Sequence, residues 1–361
     1  MKELFEQKIN QLRRLYKSKK KNGLLIENQN NFAWLLGGRT FVGLASVKAV
    51  VDLLINDNAV YLLSNNIETR RMLEEEFPNV GLAVREYPWF DSLKKQDFIN
   101  ELTDGQYLKD IEVEQELLPL RINLTEEEGC RLKDLGGDAA SAMDASCLQI
   151  NRGMSEKTAV SIMAKQCYER DFEPNILLVA ADERIQRYRH PLPTAKTIER
   201  EAMLVIGGRR NGQCVGLTRY ITFSEPSQEM LSLRDSTMEL YALLFEETRP
   251  GQNLGIVFRK LLEAYKTLGY PAEWKQHHQG GVIGYNPREV RVDFDTNLII
   301  NAGQAYAWNP SLKGFKAEDT FIVGDTENQI ITYSKDWPSN YLFTNRGKME
   351  IPDIFVRKPL H

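Results

Sequence analysis

Between residues 3 and 20, Leu4, Phe5, Ile9, Leu12 and Leu15 recur at helical spacing with basic residues between them. This pattern predicts an amphipathic helix, which Gly23 ends before the apolar run Leu24, Leu25 and Ile26. Strand-like runs follow at 33–36, 49–55 and 60–63, with a charged helix over 68–76. That alternation predicts a small α/β layer ending near residue 120. The acidic stretch from Leu124 to Glu128 then opens a long helical region running through Met143, with helices continuing to about 170. Strands at 175–180 and 202–206, helices near 228–247 and 253–267, and strands to the end give the second part an α+β texture. The turns Arg249-Pro250-Gly251 and Gly269-Tyr270-Pro271 punctuate helices. Two domains are expected, 1–120 and 121–361.

Composition agrees with two cores, since 361 residues at 42% hydrophobic content exceed one ordinary domain. Lys and Arg number 46 against 50 Asp and Glu, and a net charge of -4 supplies no field that would gather nucleic acid or an anionic membrane. Cys130, Cys147, Cys167 and Cys214 lack CxxC spacing and suit a reducing compartment. The charged first 23 residues and the absence of a long apolar run make a cytoplasmic protein the expectation.

Several segments match, in order, the signature blocks of one family. Asn31-Phe32-Ala33-Trp34-Leu35-Leu36-Gly37-Gly38, Arg189-His190-Pro191 and Gly212 to Arg219 are three of them. His277 to Gly284, Gly303 to Pro310 and Lys316-Ala317-Glu318-Asp319-Thr320 complete the series. On these blocks the chain resembles the Xaa-Pro aminopeptidase, prolidase and creatinase superfamily. The resemblance implies an α/β N-terminal creatinase-like domain plus an α+β pita-bread domain carrying the ligand cleft. Family members hold two divalent ions through two Asp, one His and two Glu, hard ligands for hard cations. Here the matching positions are Val205, Gly216, Gly281, Asn309 and Glu318, of which Glu318 alone is a good donor. No cofactor is therefore expected, a divalent metal being the alternative. A further family histidine, used in proton chemistry, falls on Arg288.

The resemblance also includes a metal-free precedent, creatinase, which uses a histidine at the position of His190 as a base. The candidate constellation is His190 as base with Glu318 and Glu289 as carboxylates. His277, His278, Arg288, Arg219, Trp308 and Asn309 are the candidate substrate-binding groups. Other roles stand beside these: His278 as a solvated residue, Trp308 as core, and Glu318 as the salt-bridge partner of Arg219 or Arg288 across the emptied metal site. Of the four histidines only His361 lies outside the family blocks. Gly207-Gly208 and Gly280-Gly281 fit no phosphate-binding motif and read as close backbone approaches on curved strands.

The function expected is metal-independent hydrolysis of a C–N bond in a small cationic or peptide-like substrate. A catalytically silent ligand- or protein-binding homologue is the alternative, and a residual Xaa-Pro metallopeptidase is a third. By family analogy the chain forms a homodimer, with Trp34, Arg39 or Trp89 placed to serve it.

Overall fold

In the first unit, helix Lys2–Ser18 buries Ile9, Leu12 and Tyr16 on one face. The helix ends before Gly23: Lys20 takes a left-handed φ of 59° and turns the chain. Gly23 serves the following strand instead, because a Cβ there would stand 2.8 Å from Thr103 Cγ2 and 3.1 Å from the Ile55 carbonyl oxygen. The computed structural model describes residues 2–344 and 347–357, so His361 lies outside the described residues.

The sheet of this unit runs Ala83–Tyr87, Val60–Asn65, Lys48–Asn56, Gly23–Asn28, Tyr107–Lys109 in spatial order. Its three central strands are antiparallel and both edge strands join in parallel. Leu25, Leu54, Leu63 and Ile99 form a buried cluster against it. Two expectations change here. The run at 33–36 is not a strand but the end of helix Gln29–Leu36, six of whose eight residues are buried. A short segment buried on nearly every side carries no period from which helix and strand can be told apart. The charged helix over 68–76 is one α-turn, Thr69–Arg71, followed by a π-helical segment, Met72–Glu76.

The second compact unit comprises Ile122–Arg210 and Cys214–His361, the first being Met1–Arg121 with Asn211–Gln213. Its long helix Glu126–Gln149 opens on a capping box: Thr125 Oγ1 accepts from Glu128 N, and the Glu128 carboxylate accepts from Thr125 N at 2.9 Å. With Glu156–Tyr168, this helix covers a sheet of Phe355–Val356, Gln213–Thr222, Glu201–Arg210 and Glu173–Ala181. Leu135, Met143, Met163, Leu204 and Ile206 pack between them. A second sheet runs Val290–Arg291, Gly280–Ile283, Ala305–Trp308, Asp319–Ile322, Gln329–Ile330, antiparallel throughout. Helices Gln228–Glu247 and Leu254–Thr267 form where the apolar spacing predicts them.

Strand Gln213–Thr222 couples the two sheets, although its sequence drew no strand assignment. Cys214 N donates to the Gly284 carbonyl at 2.7 Å and Thr218 N to the Glu318 carbonyl at 3.0 Å. The glycine pairs are close approaches. A Cβ at Gly207 would meet Ile176 Cβ at 2.8 Å, and one at Gly208 would meet the Phe172 ring at 2.9 Å. At Gly280 and Gly281, with φ of 100° and 144°, it would fall 2.2 Å from the Ala307 oxygen and 2.1 Å from the Val290 oxygen.

Candidate functional site

The coupled sheets bring one carboxylate and two cations to the same point. Lys316 ends the short strand Phe315–Lys316, and Glu318 stands two residues on, just before strand Asp319–Ile322. Lys316 Nζ donates to Glu318 Oε2 at 2.8 Å. Thr218, on the coupling strand, donates its hydroxyl to the same oxygen at 2.8 Å. Arg288 Nη2 reaches Glu318 Oε1 at 3.1 Å, its side chain 16% exposed and that of Glu318 7%. Burial pushes the Glu318 carboxyl up, but the charges of Lys316 and Arg288 outweigh it and hold the group well below the usual carboxylate range. Glu318 is thus ionised at neutral pH, and both of its oxygens accept hydrogen bonds.

Glu318, Lys316 and Arg288 line a cavity of about 100 Å³ together with His190, His278, Asn309, Val205 and Gly216. His277 faces a neighbouring space of about 10 Å³, which Lys316 also borders. His190 Nε2 and His277 Nε2 are 3.0 Å apart, a hydrogen bond between imidazoles that requires one to donate and the other to accept. Burial, then the nearby Lys316, depresses the pKa of both: His190 below its ordinary value and His277 to about 2. His278 falls to about 4 through burial and the charges of Arg288 and Arg291. All three are neutral at pH 7. Nδ1 of His277, Nδ1 of His278, Arg288 Nε and Asn309 Oδ1 are buried without a hydrogen-bond partner.

Of the candidate residues, the structure brings His190, His278, Arg288, Asn309 and Glu318 to the cavity and His277 beside it. It leaves three outside the cavity lining. The Glu289 carboxylate accepts from Tyr285 N, Asn286 N and Asn286 Nδ2, holding the turn after Gly284. Arg219 is buried against Asp319 at 2.8 Å and the Thr332 carbonyl. Trp308 is fully buried, its Nε1 donating to Thr248 Oγ1 at 2.9 Å, and it is core. Glu318 therefore pairs with Arg288 and not with Arg219. Lys316 and Thr218 were passed over, though both stand in blocks noted above and the two-residue spacing of Lys316 from Glu318 was a usable signal. Trp34 is buried, with Lys8 Nζ 4.9 Å above its ring, and Arg39 pairs with Glu76, whereas Trp89 is 62% exposed and packs edge-on with Phe90.

The five positions matching a dinuclear site do not fit one. Val205, Gly216 and Gly281 offer no side-chain donor, and Asn309 is neutral. Glu318 is held by two cations. A Cβ at Gly216 would stand 3.2 Å from Glu318 Oε1, so the ion-paired carboxylate occupies the room a ligand there would need.

No family model matches the chain, and no curated protein sequence does. Solved structures do. The prolidase from Pyrococcus horikoshii OT3 superposes with TM-score 0.76 at 18% identity, covering 91% of this chain and 99% of that one. The X-Pro aminopeptidase from Thermotoga maritima MSB8 gives 0.75 at 18%, covering 97% and 99%. The N-terminal domain of the FACT complex subunit SPT16 from chickpea gives 0.68 at 12%, covering 91% and 94%. The chain has the fold of these proteins, an α/β unit followed by a pita-bread unit. Since peptidases and a domain of a complex subunit share it, the fold does not decide the activity.

Proposed function

We propose that the cavity of the pita-bread unit binds a small peptide-like ligand carrying an anionic group, a carboxylate being the natural one, and that it does so without dinuclear hydrolysis. The observation that carries this reading is the engagement of Glu318 by Lys316, Arg288 and Thr218. Two cations against one carboxylate leave the cavity with an excess of positive charge in a partly desolvated setting, where charge selects strongly. A cationic substrate would have to displace the protein's own cations from Glu318. The prolidase and X-Pro aminopeptidase that share the fold suggest Xaa-Pro peptides as the first ligands to try. Titration calorimetry in chelator should give saturable binding of a dipeptide such as Gly-Pro, weakened roughly tenfold or more by amidation of its carboxyl, the worth of a charge-assisted pair. Equal affinity for the acid and the amide would refute the assignment.

A second reading, metal-free C–N hydrolysis, is favoured by the neutral His190 imidazole at the cavity edge. His190 would take a proton from the water that attacks the carbon and pass it to the departing nitrogen as the C–N bond breaks, while Lys316 and Arg288 stabilise the negative charge that develops between. It predicts product from Xaa-Pro or creatine-like substrates by NMR, abolished in His190→Ala with an unchanged circular dichroism spectrum. The absence of product with the wild-type chain leaves binding alone.

A further inference from the structure

His190 and His278 at the cavity and His277 beside it form a group that neither the five dinuclear positions nor ligand binding by charge requires. One nitrogen of each of His190, His277 and His278 lies within 4.8 Å of the corresponding atom of the others. We propose that His190, His277 and His278 form a mononuclear site for a borderline transition-metal ion such as Zn²⁺, separate from the five positions of the lost dinuclear centre. This goes beyond the proposed function and does not rest on it.

Geometry is the first support. Metal–imidazole bonds of about 2.0–2.1 Å in a tetrahedral site put ligand nitrogens about 3.3 Å apart. The His190–His277 pair, at 3.0 Å, is already near that spacing. The remaining approach is a matter of side-chain rotation, since all three histidines lie outside helices and strands. The rings of His277 and His278 stack at 4.4 Å, and those of His190 and His277 meet edge-on at 4.8 Å, so the three rings already form one cluster.

Unsatisfied polarity is the second support. His277 is 8% exposed, and Nδ1 of both His277 and His278 is buried with no partner. A buried imidazole nitrogen without a hydrogen bond costs free energy, which an ion bound at His278 Nδ1 would recover, while His277 ligates through Nε2. The depressed pKa values add that the rings need lose no proton before ligating.

The surrounding charge selects the kind of ion. Lys316, Arg288 and Arg291 oppose any dication, and Glu318 offsets only one of them. Ions held mainly by attraction to charge, such as Mg²⁺ and Ca²⁺, are therefore excluded. Those with strong imidazole bonds, Zn²⁺, Cu²⁺ and Ni²⁺, remain. A three-histidine site leaves a fourth position open, and the same cations favour an anion there.

The test starts from the full chain stripped with chelator and dialysed against Zn²⁺, then Co²⁺. About one ion per chain is expected by elemental analysis, with Co²⁺ giving the intense visible bands of four-coordinate nitrogen ligation. His278→Gln and His190→Gln should each weaken Zn²⁺ binding roughly tenfold or more, and the double variant should lose stoichiometric binding. Circular dichroism in chelator confirms that each variant is folded. No retained ion, or one retained unchanged by the double variant, would overturn the site. Because dipeptide binding is measured in chelator, its failure and the failure of the metal site are separate results.

Discussion

Glu318 is the residue on which the site turns, because burying one carboxylate with two cations is stable only while all three are present. Removing its charge leaves Lys316 and Arg288 buried without a counterion. Glu318→Gln should lower stability by about 3–5 kcal/mol, measured by urea unfolding, the usual cost of breaking a buried pair from one side. The histidines make a pH prediction of definite sign. His277 and His278 titrate in the folded chain at about 2 and about 4, below the ordinary 6.5. Between those values the unfolded chain holds protons that the native one does not. Their contribution is complete above pH 6.5 and is lost as pH falls, each proton steepening the decline by about 1.4 kcal/mol per pH unit. Urea midpoints from pH 7 to pH 4 should fall less in His277→Asn with His278→Asn than in the parent; parallel curves would contradict the assigned shifts. Much of this constellation could be read from sequence, since His190, His278, Arg288, Asn309 and Glu318 converge on one cavity. The roles of Glu289 and Arg219 could not, because whether a charged side chain faces a cavity or a neighbouring turn depends on backbone contacts that residue type does not encode.

At the scale of elements, what was legible was what repeats. Helices Gln228–Glu247 and Leu254–Thr267 bury one face each and announce it by spacing. Helix Gln29–Leu36 and strand Gln213–Thr222 do not, the first buried on most sides and the second at every position, so neither displays the alternation from which an element is recognised. Helix Glu126–Gln149 offers a sharp test of local packing in two neighbouring glycines. A Cβ at Gly136 would meet the Ile331 carbonyl oxygen at 2.5 Å, whereas one at exposed Gly137 would meet nothing within 4 Å. Gly137→Ala should stabilise the protein by about 0.4–1 kcal/mol, through helix propensity and a less disordered unfolded chain. Gly136→Ala should destabilise it by more than that. Thermal midpoints moving in the same direction for both would show that the contact at Gly136 relaxes freely.

The whole molecule has two compact units with separate cores, and none of its helices among the described residues is long and apolar enough to cross a membrane. Two cores predict unfolding that is not a single cooperative step. Scanning calorimetry should resolve two transitions, and Glu318→Gln should lower only the one belonging to the pita-bread unit. The alternation of strands and helices at the start of the chain and the later α+β texture disclosed this division, because each unit must bury its own apolar surface. Gly216 has a consequence for how such a protein could change. Placing an aspartate there sets a second carboxylate against Glu318 with no ion to hold them apart, while replacing Arg288 or Lys316 first strands a buried charge. Each single step toward a two-ion site thus crosses a less stable intermediate. Two side-chain cations seated on one carboxylate work as a ratchet: no single substitution replaces them with a metal site without a cost in folding.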